Sequence, residues 1–113
     1  QVNVSGERSK SGLAPAAVPE VLALANRLRN VQVCGLMTIP PLAEDPEKAR
    51  PFFRDLRERR AAWAAESGCD LPELSMGMTH DLEVAIAEGA TFVRVGTGIF
   101  GARARPAGEA EET

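Results

Sequence analysis

Apolar positions along the chain alternate between short continuous runs and longer stretches with a helical period. The runs at 1–5, 31–39, 73–78 and 91–96 are bounded by glycine, proline or polar residues, which predicts four strands. The stretches between them, at 19–30, 46–67 and 79–89, predict three helices. Strands that alternate with helices are typical of parallel pairing through right-handed crossovers, so the pattern predicts an α/β fold.

The first predicted helix begins at Pro19 and ends at Asn30. Its apolar residues fall on one face, at the spacing i, i+3, i+4 and i+7: Val21, Leu24, Ala25 and Leu28. The run that follows, 31–39, is continuously apolar, which is typical of a strand buried on both faces.

The long helix 46–67 has clear boundaries. Asp45 is the candidate N-cap, Pro46 takes the first helical position and Gly68 follows the last. Pro51 conflicts with this assignment because an interior proline removes one helical hydrogen bond, so we expect either a kink there or a helix that begins near it. The apolar stripe of this helix is predicted to be core: Ala49, Phe52, Phe53, Leu56 and Trp63.

Four β/α units are half of an eight-stranded barrel or most of a small open sheet. The length of 113 residues favours the open sheet. An opening at Gln1 that reads as the inside of a strand favours a barrel divided in two. Both architectures stay open on pattern alone.

Composition restricts the classes of function. Hydrophobic residues make up 44% of the chain and charged residues 26%, a soluble globular balance, and the net charge of −3 argues against a nucleic-acid partner. No apolar run approaches the ~20 residues that a membrane span needs. Cys34 and Cys69 are predicted to be buried, reduced thiols in the cytosol, and their spacing, with one histidine, argues against a metal site.

The ends of the last two predicted strands carry the sharpest chemical signal, in "LSMGMTHD" and "RVGTGIFG". Phosphate binding needs backbone N–H groups that can approach the anion, with hydroxyls close by. Three of the glycines in these motifs and all three of their hydroxyls are candidates for this role: Gly77, Gly96, Gly98, Ser75, Thr79 and Thr97. Thr79 is also the predicted cap of helix 79–89. On pattern alone, phosphate binding and ordinary strand–helix turns are equally favoured.

Arg94 lies inside the apolar strand 91–96, where alternation places it on the same face as Gly96. A cation inside a sheet is costly unless it is paired. Arg94 therefore predicts either an ion pair with a neighbouring strand or a donor to a bound ring or anion. His80 is expected to be exposed, and no Ser-His-Asp or Cys-His set is apparent.

Three segments, in this order and spacing, closely resemble the YggS/PROSC family of pyridoxal 5′-phosphate (PLP) homeostasis proteins: "VNVSGERSKSG", "GLMTIP" and "LSMGMTHDLEVAIAEGATFVRVGTGIFGAR". The resemblance covers residues 1–103. It implies a (β/α)8 barrel similar to the N-terminal domain of alanine racemase, of which this chain would be the C-terminal half with four parallel strands. Residues 104–113 are expected to be a disordered tail.

The resemblance also implies a PLP site. Four residues match the positions that hold the phosphate: Ser75, Thr79, Gly96 and Thr97. Arg94 matches the arginine that faces the pyridine nitrogen, and Met37 and Asn3 are expected to line the ring pocket. The family commonly has serine where this chain has Thr79, which keeps the hydroxyl.

The lysine that bonds to the cofactor belongs to the family's first strand, and neither Lys10 nor Lys48 matches it. The chain is therefore expected to be part of a functional unit. We expect a cytoplasmic, non-catalytic PLP carrier, monomeric at full length, whose partners include PLP-dependent apo-enzymes. The alternatives are half of a racemase-like PLP enzyme, half of a sugar-phosphate barrel, and a fragment that does not fold alone. The sequence contains no tyrosine, which argues against the racemase.

Overall fold

The computed structural model describes residues 1–8 and 11–102, so the predicted tail at 104–113 lies outside the described residues. Three strands span Gly35–Met37 (β1), Glu73–Met78 (β2) and Phe92–Arg94 (β3). Four α-helices span Val18–Ala25 (α1), Arg50–Ser67 (α2), Leu82–Ala87 (α3) and Thr97–Phe100 (α4). Short 3-10 turns at Pro15–Ala17 and Pro46–Ala49 lead into α1 and α2.

The three strands form one parallel sheet in the order β1-β2-β3, which confirms the predicted α/β fold with parallel pairing. Ser75 of β2 pairs with Met37 of β1 and with Phe92 of β3, so these three side chains share one face. The neighbouring residues Leu74 and Met76 are fully buried. The helices therefore cover the Leu74 face, and the Ser75 face is the one that would line the inside of a barrel.

The predicted first strand, 1–5, is not a strand in the structure, so the described residues contain three strands rather than four. Val2 forms a single parallel bridge with Leu13, and its N–H donates to the Met37 carbonyl at 2.8 Å. The Asn3 N–H donates to the Leu13 carbonyl, and the chain then turns at Gly6 (φ 75°), where the Asn3 side chain bonds to the turn. The segment nevertheless lies where a fourth strand beside β1 would.

The second predicted strand, 31–39, is shortened to Gly35–Met37. The strand is short because its partner, β2, begins at Glu73, opposite Gly35. The residues before Gly35 therefore have no strand beside them. A side chain at Gly35 would overlap the Glu73 carbonyl, so only glycine allows this approach. Cys34, just outside the strand, is exposed and Cys69 is half-buried, so the prediction of two buried thiols is wrong.

Helix α1 ends at Ala25, five residues before the predicted end at Asn30, and it buries a different face from the predicted one. Val18 and Leu22 are buried against α2 and the sheet, whereas Val21 and Leu24 are 38% and 48% exposed. Both faces are apolar, so the periodicity alone does not select between them. The packing partner decides which face is buried. The buried face lies about a quarter turn around the helix from the predicted one.

Helix α2 resolves the conflict over Pro51. The α-helix begins at Arg50, so Pro51 falls in its first turn, where a missing N–H costs nothing. The preceding 3-10 turn is capped by Asp45, whose carboxylate accepts the N–H of Glu47 at 3.0 Å, and Gly68 ends the helix at φ 72°. Of the predicted stripe, Phe52 is half-buried and the others are core: Ala49, Phe53, Leu56 and Trp63.

Candidate functional site

The turns that follow β2 and β3 meet at the carboxyl edge of the sheet. The hydroxyl oxygen of Thr79, after β2, accepts the backbone N–H of Gly98 in α4 at 3.1 Å. Thr79 is therefore not the cap of α3, which begins three residues later at Leu82. The prediction failed because the 78–81 turn is shaped by Asp81, whose carboxylate accepts the Met78 N–H at 2.8 Å.

Two of the three candidate glycines, Gly77 and Gly98, are required by the protein's own packing. Gly77 has φ +100°, and a Cβ there would lie 2.6 Å from the Cβ of Ala85. A Cβ on Gly98 would lie 2.8 Å from Cγ2 of Thr79. Gly77 thus allows α3 to pack against β2, and Gly98 allows the two turns to meet, so both glycines are consistent with ordinary strand–helix turns.

Gly96 differs from both. Its φ is −106°, which other residues adopt, and a Cβ built there has no atom within 4 Å. Nothing in the described fold therefore requires glycine at 96. A residue without a side chain, facing open space between Arg94 and Thr97, leaves the backbone accessible to a bound group. Thr97 is exposed beside it.

Arg94 reaches from β3 across the sheet, and its Nη2 donates to the Thr38 carbonyl at 3.0 Å. Its Nε is buried and has no hydrogen-bond partner among the described residues. Within the same part of the chain Arg94 forms no ion pair, so the predicted ion pair with a neighbouring strand is not found. A buried guanidinium N–H without an acceptor is costly, and a ligand acceptor at that point would remove the cost.

A cavity of about 260 Å³ opens beside Arg94, between the loop after β1 and the turn after β2. Its walls are mostly apolar, from the Ile39–Ala43 loop and Met78, with Thr38, His80 and Asp81 at its edge. His80 is exposed, as predicted. The cavity places apolar surface beside the unsatisfied N–H of Arg94, an arrangement that suits a flat ring with one polar atom.

The other predicted residues lie lower in the sheet or outside it. Ser75 and Met37 are half-buried neighbours on paired strands, three positions before the Met78–Arg94 pair. Asn3 is next to Val2, but its side chain bonds within the following turn, to the Glu7 carbonyl at 2.7 Å and the Gly6 N–H at 3.1 Å. The structure thus brings Arg94 and the Thr79–Gly98 contact together at the carboxyl edge of the sheet. Ser75 and Met37 lie farther from this edge, within the strands.

A family model for the alanine racemase N-terminal domain matches residues 1–104. The chain belongs to this family. Within it, the chain is 54% identical over 103 residues to the pyridoxal phosphate homeostasis protein of Aquifex aeolicus and 50% identical over 104 residues to that of Pseudomonas aeruginosa. These findings confirm the resemblance carried by the three motifs.

Solved structures of the family share the fold. PipY of Synechococcus elongatus without PLP superposes with a TM-score of 0.81 at 38% identity, over 88% of this chain and 47% of PipY. Its PLP-bound structure gives 0.77 at 37% identity, over 86% and 46%. The matches to the Aquifex aeolicus and Pseudomonas aeruginosa relatives each cover 91% of this chain. They cover 45% and 43% of those relatives. The chain thus spans less than half the length of the relatives it matches.

Sequence reasoning gave no structural role to two contacts of the site. The acceptor for Arg94 is the backbone carbonyl of Thr38, which carries no side-chain signal. The bond between Gly98 and Thr79 joins two residues 19 positions apart, a separation that local pattern does not connect. Along the described stretches 1–8 and 11–102, no helix is both long and apolar enough to cross a membrane.

Proposed function

We propose that this chain forms the phosphate- and pyridine-binding half of a PLP-binding (β/α)8 barrel that serves PLP homeostasis without catalysing a reaction. The observation that carries this proposal is the buried Nε of Arg94, which lacks an acceptor at the edge where the two glycine turns meet. Relatives named pyridoxal phosphate homeostasis protein and a PLP-bound PipY structure support it.

The residues present fit the cofactor. Gly96 is open on its Cβ side, as a position covered by a phosphate would be, and Thr97 and Thr79 bring hydroxyls beside it. Ser75 is the fourth proposed phosphate residue, and Met37 and Asn3 are proposed to line the ring pocket. Charge-assisted hydrogen bonds from hydroxyl and backbone donors are the usual means of holding a phosphate.

Arg94 acts on the ring. Its guanidinium disfavours a proton on the pyridine nitrogen, because a second positive charge there would be repelled. Bound PLP supplies an aldehyde that combines reversibly with amines and a ring that withdraws electrons. By keeping the ring nitrogen neutral, Arg94 would weaken that electron withdrawal.

The non-catalytic role is supported by the relatives' names. The second candidate is half of an alanine racemase-like enzyme, which the family model's own description favours. Alanine racemisation by the reassembled barrel would select this candidate. We further propose that the intact protein is a cytoplasmic monomer that delivers PLP to apo-enzymes.

The test is to titrate the chain and its Arg94→Gln variant with PLP. Binding is monitored through the visible absorbance of the cofactor. We expect about tenfold weaker PLP binding, the equivalent of ~1.4 kcal/mol for one charged hydrogen bond. Inorganic phosphate, measured as a competitor, should bind the variant about as well as the unmodified chain. Arg59→Gln is the matched control, because Arg59 pairs with Asp55 on the distant helix α2.

Equal loss of PLP and phosphate would reduce Arg94 to a general anion contact. The same titration is repeated with the N-terminal half of the Aquifex aeolicus relative, which supplies the proposed lysine. A cofactor absorbance change that needs both halves supports a divided PLP barrel. No binding by the chain or by a folded mixture would overturn the assignment and favour a sugar phosphate.

A further inference from the structure

We infer that Gly98 is a positioning residue for the phosphate: its N–H holds the Thr79 hydroxyl so that the hydroxyl proton is left for a phosphate oxygen. This inference rests on the proposed function, because it names how one of the proposed phosphate residues is oriented. It also couples positions 79 and 98, so that a threonine at 79 requires a glycine at 98.

The first step is the direction of the hydrogen bond. A hydroxyl has one donor and two acceptor sites. The Gly98 N–H occupies one acceptor site of Thr79 Oγ1 at 3.1 Å, and the hydroxyl proton has no acceptor recorded among the described residues. The Thr79 hydroxyl is therefore held as a donor, as an incoming anion requires.

The second step is steric. A Cβ on residue 98 would lie 2.8 Å from Thr79 Cγ2, 3.0 Å from Val95 Cγ1 and 3.2 Å from Thr79 Oγ1. Contacts below 3.0 Å force a movement. Thr79 relieves the overlap by rotating about χ1, which is stiff in a β-branched residue and carries Oγ1 away from the Gly98 N–H. A shift of α4 breaks the same hydrogen bond.

The third step excludes the backbone as the reason for glycine. Gly98 is not among the glycines with positive φ, which include Gly77 and Gly101. Alanine at 98 therefore meets no conformational strain, and the three nearest atoms to its Cβ all belong to the side chains of Thr79 and Val95. Serine at 79 lacks Cγ2 and keeps the hydroxyl, so it removes the shortest of these contacts.

The experiment is a double-mutant cycle with Gly98→Ala and Thr79→Ser, measured on the full chain with PLP and with pyridoxal, which lacks the phosphate. With Thr79 present, Gly98→Ala should weaken PLP binding about tenfold and leave pyridoxal binding unchanged. In the Thr79→Ser background, Gly98→Ala should weaken PLP binding less than about twofold. A purely structural role for Gly98 predicts equal losses for both ligands.

An equal loss of PLP affinity in both backgrounds, or no loss in either, would overturn the inference. If neither the unmodified chain nor its mixture with the N-terminal half of the Aquifex aeolicus relative binds PLP, the proposed function fails, and thermal unfolding then decides the coupling. Gly98→Ala should lower the unfolding midpoint by about 4–8 °C with Thr79 present and by much less in the Thr79→Ser background. Equal shifts in both backgrounds would show that Gly98 does not position Thr79.

Discussion

At the scale of single residues, Glu88 is a buried carboxylate surrounded by three arginines. Its side chain is 5% exposed and accepts hydrogen bonds from Arg50 at 2.7 Å and from Arg54 at 3.2 Å. Arg57 forms an ion pair with the same carboxylate at 3.2 Å. Hydrogen bonds from Arg54 and Arg50 lower the pKa of Glu88 from its usual 4.5 to about 2. Glu88 follows α3 directly, so the cluster fastens the end of α3 to the first turns of α2.

Glu88→Gln should lower the midpoint of thermal unfolding by several degrees at pH 7, because three arginines lose their common anion. The pKa of Glu88 is lower in the folded state, so the carboxylate's contribution is complete above about pH 4.5. It is lost as the pH falls toward 2. The difference in midpoint between the variant and the unmodified chain should therefore shrink between pH 5 and pH 2.5. A difference that stays constant over this range would contradict the assignment.

At the scale of elements, Pro51 shows how a boundary decides the effect of one residue. Inside a helix proline costs about 3 kcal/mol, whereas in the first turn its fixed φ restricts the unfolded chain and stabilises the fold. Helix α2 begins at Arg50, which places Pro51 on the favourable side of this boundary.

Pro51→Ala should accordingly lower the free energy of unfolding by about 0.4–1 kcal/mol in urea denaturation. A kinked interior proline would give the opposite sign, with alanine stabilising the chain. Pro19→Ala is the matched control, since Pro19 also lies at the start of a helix, α1, and should show a loss of the same size.

At the scale of the whole molecule, the sheet ends at β3 with apolar residues uncovered. Phe92 is 57% exposed, and Ile99 and Phe100 on the adjoining α4 are 69% and 85% exposed. An uncovered edge strand with apolar neighbours is a template for pairing with other chains. This exposure fits a barrel half whose remaining strands are supplied by another segment.

The chain alone should therefore self-associate as its concentration rises, as measured by sedimentation velocity. Phe92→Thr and Phe100→Ser should each reduce this association. Leu42→Ser is the control, because Leu42 is 70% exposed but lies in the loop after β1. Equal effects of all three substitutions would indicate nonspecific hydrophobic association and not a contact through the edge of the sheet.

The placement of the candidate residues on strands and turns was predictable where it depends on short segments. Strand 73–78 has the predicted bounds, the glycine turns follow β2 and β3, and Arg94 lies in β3 ahead of Gly96. The first strand and the face of α1 were not predictable. Each depends on a partner distant in sequence: Val2 binds Met37, and α1 packs on α2.

The alternation of strands and helices, the parallel sheet, the family and the residue types in the turns after β2 and β3 could be read from the sequence alone, because they follow from local periodicity and from contiguous motifs. Only the tertiary structure decided which face of α1 is buried, that Glu88 gathers three arginines, and that Gly98 holds the hydroxyl of Thr79. These outcomes depend on distances between residues far apart in the chain, which packing sets and local pattern does not encode.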